Sequence, residues 1–334
     1  MRILIALAAL AAAVAPAAAS AQAWVHQRSG VSLASLPDGL RLGGETDNRR
    51  DGSDVWIQLG TDDEPVTLYV YRSAFPNPAL WFERTRLAMH ANVGTANEAV
   101  APRSFTLGGA TAPNGLREEV AIPASARFRS TAVAIAQAGE WIVKARITSA
   151  SLDREGIGRK MDRLLAALRL PPATAAPLPL LVPGLCPGEQ EMRGRPRRQT
   201  LENVTLASPL LAAAHDQARG RSGLAAEPNA WCRESSNIPA EYVTVYRRRD
   251  GGAWTALVGD SGVAVSGYVM AVAELPDLDG AATVGANPSA TALALVYDGL
   301  PDPDGAIEPA LPFATGQQRA VAQIDGDGAR EPDR

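Results

Sequence analysis

The chain has 334 residues, a formal net charge of −4, 46 % hydrophobic residues and only 5 % aromatics. That length suggests about two domains; the apolar content suffices for packed cores, and the mild acidic balance excludes an obligatory polyanion partner. The basic residues are almost all arginine, with Lys144 and Lys160 the only lysines.

The first residues read as a secretory leader. Met1-Arg2 supplies a positive start, Ile3 to Val14 is an uninterrupted apolar run, and Pro16 breaks it. Ala19-Ser20-Ala21 and Ala21-Gln22-Ala23 both fit the small-x-small cleavage pattern. The expectation is a general-pathway signal peptide, residues 1–23, cut after Ala21 or Ala23. The apolar run is too short for a stable anchor, and no later stretch approaches the roughly 18 apolar residues of a membrane helix. A soluble periplasmic or secreted protein without a membrane span follows as the expectation.

Residues 24–170 read as an α+β domain. Val55 to Leu59 and Val66 to Tyr71 form successive strands around Asp62-Asp63-Glu64-Pro65. In the second strand Val66, Leu68 and Val70 face one way, and Thr67, Tyr69 and Tyr71 the other. "NPALWFERTRLAMHANVG" is a helix, with Asn77 as N-cap, Pro78 at the first position and Gly94 as the stop. Strands follow at Glu118 to Ile122, Thr131 to Gln137 and Trp141 to Ile147. In the closing helix Ile157, Met161, Leu164, Leu165 and Leu168 recur at helical spacing, opposite Arg159, Lys160, Asp162 and Arg163.

This order of elements, closed by "GEWIVKARITSASLDREGIGRKMDRLLAALRL", resembles the PsbP-like fold. That fold is named for a photosystem accessory protein and is shared by bacterial envelope domains. The resemblance covers the first half alone and implies a scaffold for binding and accessory roles. It rests on no specific motif, so it assigns no functional residue.

"LPPATAAPLPLLVPG" holds five prolines and makes residues 171–184 a proline-rich linker. Residues 185–300 read as a mostly β second domain. It has a short helix from Ser208 to about Gly220 and strands at Tyr242 to Arg247, Trp254 to Val258, Val263 to Val272 and Thr291 to Tyr297. Residues 301–334 are acidic and rich in proline and glycine, and they are expected to lack order. The fold class is therefore α+β, an antiparallel sheet with packed helices followed by a mostly β domain. Cys186 and Cys232, in a chain bound for an oxidising compartment, are expected to form one disulfide. Closing such a loop stabilises by roughly 4 kcal/mol on the chain-entropy account.

Three sets of residues invite a chemical reading. Gly259-Asp260-Ser261-Gly262 matches the surroundings of the chymotrypsin-type nucleophile, and "LLAAAHDQ" around His215 faintly echoes that family's base. His215 lies too close in sequence for the two barrels that place such residues. Alternating apolar residues on both sides make the GDSG segment a hairpin turn. His26, His90 and His215 are dispersed and match no zinc motif. Asp277-Leu278-Asp279-Gly280, Asp302-Pro303-Asp304-Gly305 and Asp325-Gly326-Asp327-Gly328 resemble the start of calcium loops. Leu275, Leu300 and Gln323 stand where an earlier ligand belongs, however, so they read as solvated turns. No metal and no cofactor is expected.

The arginine clusters are the third set: Arg193, Arg195, Arg197 and Arg198, then Arg219 and Arg221, and finally Arg247, Arg248 and Arg249. Convergence would give a clamp for phosphates or carboxylates. Between Cys186 and Asp250 ten arginines face eight acids, too slight a surplus for a nucleic-acid surface. The leading expectation is a non-catalytic binding or accessory role at the cell envelope, with an unidentified envelope component as partner. The alternatives are an exported hydrolase whose site is not recognisable, and binding of an anionic glycan or lipid through the arginines.

Overall fold

The computed structural model describes residues 23–334, except 38, 96–100, 124–125, 173–176, 189–197, 200–229, 261, 272–278, 319–322, 326–327 and 331–334. The leader, the helix expected from Ser208, His215, Ser261 and Arg193, Arg195 and Arg197 lie outside the described residues.

The class is α+β, with three antiparallel sheets among the described residues. β3 (Leu42–Asp47), β4 (Asp54–Gly60), β5 (Pro65–Arg72), β6 (Arg103–Phe105), β7 (Gly115–Ala121), β8 (Ser130–Ala138) and β9 (Trp141–Ser149) form a seven-stranded sheet in the order β3-β4-β5-β9-β8-β7-β6. A small sheet joins β1 (Trp24–Val25), β2 (Ser32–Leu33) and β10 (Leu168–Arg169). The second large sheet is a meander. It runs through β12 (Trp231–Arg233), β13 (Val243–Arg248), β14 (Ala253–Val258), β15 (Val263–Ala271), β16 (Asp279–Ala286), β17 (Ala290–Tyr297), β18 (Gln323–Asp325) and β19 (Gly328–Arg330). β11 (Arg198–Gln199) pairs with β17 off that path.

Helix α1 (Pro78–Val93) starts as its sequence dictates. The Asn77 side chain accepts from the Ala79 and Leu80 amides at 3.1 and 3.2 Å, and Gly94 ends the helix in the left-handed conformation. Leu80 to Thr85 are buried without a break, so partners surround this end of the helix. On one side it meets Val133, Ile135 and Leu116 of the first sheet; on the other, Tyr246, Leu257 and Tyr268 of the second. Helix α2 (Arg154–Ala167), capped by Asp153, packs Ile157, Met161, Leu164 and Leu165 on the opposite face of the first sheet. Helix α3 (Pro303–Thr315) covers the far face of the second sheet with Ala306, Ile307, Ala310 and Ala314. By side-chain contact the layers run α2, first sheet, α1, second sheet, α3.

The alternation expected in β5 is present, with Val66, Leu68 and Val70 toward α2 and Tyr71 toward α1. Two expectations are corrected. The tail from residue 301 is ordered over α3, because Asp302 caps it, Pro303 occupies the first turn, and small apolar residues match the sheet. Pro309 and Pro312 break only bonds to the carbonyls of Gly305 and Glu308, two exposed residues at which water can accept the loss. Lys160, expected on the solvent face of α2, is buried, since its ammonium pairs with Glu64 in the β4–β5 turn. In the proline-rich segment, Leu178, Leu180 and Val182 lie against the core between the two large sheets.

Among the described residues, no helix is long and apolar enough to cross a membrane.

Candidate functional site

The GDSG segment is the four-residue connection of the β14–β15 hairpin, with Val258 paired to Val263. Gly259 and Gly262 have φ of 57° and 72°, which a residue with a side chain adopts at a cost. A Cβ at Gly262 would stand 2.8 Å from the Tyr71 ring, so the turn tip is fitted against the first half of the chain. The Ala74 amide donates to the Gly262 carbonyl at 3.0 Å.

Asp260 is the chemical centre of that tip. Its carboxylate lies 3.2 Å from Lys144 Nζ and 3.9 Å from Arg84 Nη1, and Thr85 Oγ1 donates to it at 3.3 Å. Both cations are 1 % exposed, whereas the Asp260 side chain keeps 37 % of its surface. Desolvation pushes the Asp260 carboxyl up, but Lys144 and Arg84 outweigh it and hold it at about 2. Burial lowers Lys144 despite Asp260. The Lys144 ammonium sits 3.9 Å from the centre of the Tyr69 ring. Arg84 Nη2 donates to the Glu241 carbonyl at 2.8 Å. Asp260 is therefore the shared counter-ion of two buried cations between the layers, a structural task.

A second polar seam follows α1. Glu83 pairs with Arg86 and with Arg233 of β12, while Arg86 and His90 both reach the buried Glu118. His90 Nδ1 meets Thr95 Oγ1 at 2.9 Å. The row Glu118–His90–Thr95 has the composition of an acid–base–nucleophile triad. Thr95 is buried at the helix end and lines neither of the two cavities described below, so the row ties α1 to β7. His26 is also buried. Its Nε2–H donates to the Gly52 carbonyl at 2.9 Å, leaving Nδ1 to accept from Ser29 Oγ at 2.6 Å, and burial lowers its pKa. No group of three or more potential metal ligands occurs among the described residues.

The described arginines do not converge. Arg247 and Arg248 are neighbours on one strand and so point to opposite faces. Arg247 Nε pairs with Glu234 at 2.5 Å, and Arg248 pairs with Asp250 at 2.9 Å. The Arg249 amide donates to the Ala230 carbonyl. Arg198 belongs to β11. Asp302 and Asp304 form no ion loop either. Asp302 caps α3, and Asp304 accepts from Ser236 Oγ and from the amide and side chain of Asn237, which ties α3 to residues 236–237.

Cys186 and Cys232 are joined in a disulfide. It pins residues 184–188 beside β12, where Cys186 N donates to the Arg233 carbonyl and Arg233 N to that of Gly184. The bridged segment forms one wall of a cavity of about 450 Å³. Val245, Trp254 and Leu300 supply apolar lining, Glu234 and Arg247 the polar rim, and the start of α3 the facing wall. Trp254 is fixed by a bond from its indole N–H to the Pro301 carbonyl at 2.9 Å. The volume falls in the range of small-molecule sites, about 300–1,000 Å³. A larger and more open cleft, about 670 Å³, flanks α2, where Arg103, Arg117 and Arg159 are balanced by Glu119, Asp162 and Glu155.

Sequence reasoning reached the cysteines, Arg247 and, as a solvated turn, Asp302 and Asp304, but not Trp254 and Leu300 as their neighbours, since these arrive from distant segments. The one signal available was register: Cys232 pairs with Arg247, placing the bridge and that arginine side by side.

No family model matches the chain, and no curated protein does. A solved structure from Bacteroides thetaiotaomicron VPI-5482, a crystal structure at 1.50 Å, is similar at 8 % identity over 69 % of this chain and 84 % of that one. Its TM-score is 0.25, too low to support an argument about fold or role.

Proposed function

We propose that the protein is an exported binding protein of the cell envelope, without catalytic activity, whose ligand occupies the cavity beside the Cys186–Cys232 bridge. That cavity carries the reading: it has ligand-sized volume, mixed walls, and two walls braced by a covalent bond and by the Asp304 contacts. The leader-like start and the disulfide support export. The acid–base pairs outside the cavity are engaged between layers, which favours binding over turnover. The PsbP-like reading of the first half belongs to the same proposal, since its element order suits a binding scaffold.

The test is native mass spectrometry of the secreted, bridged protein after exposure to an envelope extract. A bound mass present in the wild type and lost in Ser235→Trp, which blocks the exposed rim, supports the reading. Labelling of Ser261 by a fluorophosphonate probe, or turnover of an ester or peptide abolished by one substitution, overturns it.

A further inference from the structure

The chain has six tryptophans, and Trp24, Trp81, Trp141, Trp231 and Trp254 are all buried. Trp56 is half-buried and belongs to none of the hydrophobic clusters among the described residues. Its strand explains where it points. Val55, Ile57 and Leu59 of β4 face α2, so Trp56 and Gln58 stand on the other side of the first sheet. Cross-strand pairing sets Thr46, Trp56, Tyr69 and Lys144 in one row over β3, β4, β5 and β9, and Gln58, Thr67 and Arg146 in the next. α1 covers this side of the sheet at β7 and β8. Thr46 and Gln58 stay exposed, and Tyr69, Thr67 and Arg146 half-buried. The two rows make a shelf, about 14 Å along each row with about 7 Å between them.

The Trp56 and Tyr69 rings lie 6.4 Å apart on this shelf. An aromatic face carries negative potential and attracts the C–H face of a sugar ring, a preference that aliphatic side chains lack. Gln58 and Thr46 supply an amide and a hydroxyl for sugar hydroxyls. Arg146 forms no hydrogen bond or ion pair among the described residues, and a guanidinium so placed suits a carboxylate. Arg84, Lys144 and Arg146 outnumber Asp260, on which all three act. Asp54, one row further on, is 1 % exposed, and burial raises its carboxyl. Positive charge therefore prevails at this end of the shelf. The overall charge of −4 does not oppose it, because at physiological salt a ligand feels charges within about 8 Å.

We infer that this shelf binds an acidic polysaccharide, a chain of uronic acids, with a sugar ring on Trp56 and its carboxylate on Arg146. The site is separate from the cavity beside the disulfide and does not depend on it. The aromatic row selects a ring, and the arginine selects its charge.

Titration calorimetry of the full secreted chain, disulfide intact, with tetramers of galacturonate and mannuronate and with their methyl esters tests this, since the esters keep the rings and lose the charge. At least one acid tetramer is expected to bind, about tenfold more tightly than its ester. Trp56→Ala should weaken it about tenfold. Gln58→Glu, at an exposed position that does not endanger the fold, should weaken it about fivefold by repelling the carboxylate. Arg146→Gln should bring the acid to the affinity of its ester, and Ser235→Trp, in the cavity rim, should change nothing. Failure of both acid tetramers to bind overturns the proposal, as does an affinity equal for acid and ester or indifferent to both Trp56→Ala and Gln58→Glu. Binding lost in Ser235→Trp places the glycan in the cavity and overturns the shelf. Inorganic polyphosphate bound as tightly, whether or not Trp56 is present, marks a general polyanion surface and overturns the glycan.

Discussion

The two faces of the seven-stranded sheet are built from different chemistry. Toward α2 the strands present Val66, Leu68, Val70, Val143, Ala145 and Ile147, closed by a helix that follows directly in sequence. Toward α1 and the second sheet, Lys144 and Glu118 sit buried among apolar neighbours, and Asp260 arrives from more than a hundred residues away. A face closed locally needs only shape and hydrophobicity. A face closed by a distant part of the chain gains from charges that accept one register and penalise others.

Breaking the α2 side is expected to have the largest effect. Met161→Ala leaves a void under α2 and should cost about 2–5 kcal/mol by denaturant unfolding. Removing the bridge through Cys186→Ala with Cys232→Ala should cost roughly 2–4 kcal/mol, read as a lower melting temperature of the whole chain. A loss confined to the second sheet would show instead that the layers unfold separately.

Asp260→Asn probes the charged side directly. It leaves Lys144 and Arg84 without their counter-ion. Breaking a buried pair costs about 3–5 kcal/mol, and the partial exposure of Asp260 reduces the expectation to about 2–3 kcal/mol. Asp260 has its carboxyl held at about 2 in the folded chain, below the ordinary 3.8. Its contribution is therefore full above about pH 4 and disappears as pH falls toward 2. Asp260→Asn should flatten that part of the stability–pH curve. An unchanged acid limb would remove the ion pair from the account. The smallest effect belongs to Asn77→Ala, about 1 kcal/mol from a lost helix cap, with the sheets otherwise unaltered.

The locally closed side was legible in the sequence. The period-two run of β5, the stripe of α2 and the caps of α1 each declare themselves within a few residues. The burial of α1 around its circumference was not, because "NPALWFERTR" mixes charges with aromatics and shows no single apolar stripe. α3 was hidden by Pro309 and Pro312, which read as breakers although their positions tolerate them. Lys160 looked like a surface residue because Glu64, its partner, stands far away in the chain. The cavity was legible only in its cysteines, Arg247 and the Asp302–Gly305 turn; that Trp254 and Leu300 join them through the hairpin and the α3 turn is something no local pattern encodes.

The fit of the Gly262 turn against Tyr71 also bears on biosynthesis. A ribosome delivers the chain from its N-terminus, so Lys144 and the apolar residues around α1 emerge long before the hairpin that covers them. An interrupted chain ending near Leu170 would keep its α2 side closed but leave a sticky, positively charged flank bare, making it a ready client for chaperones and proteases.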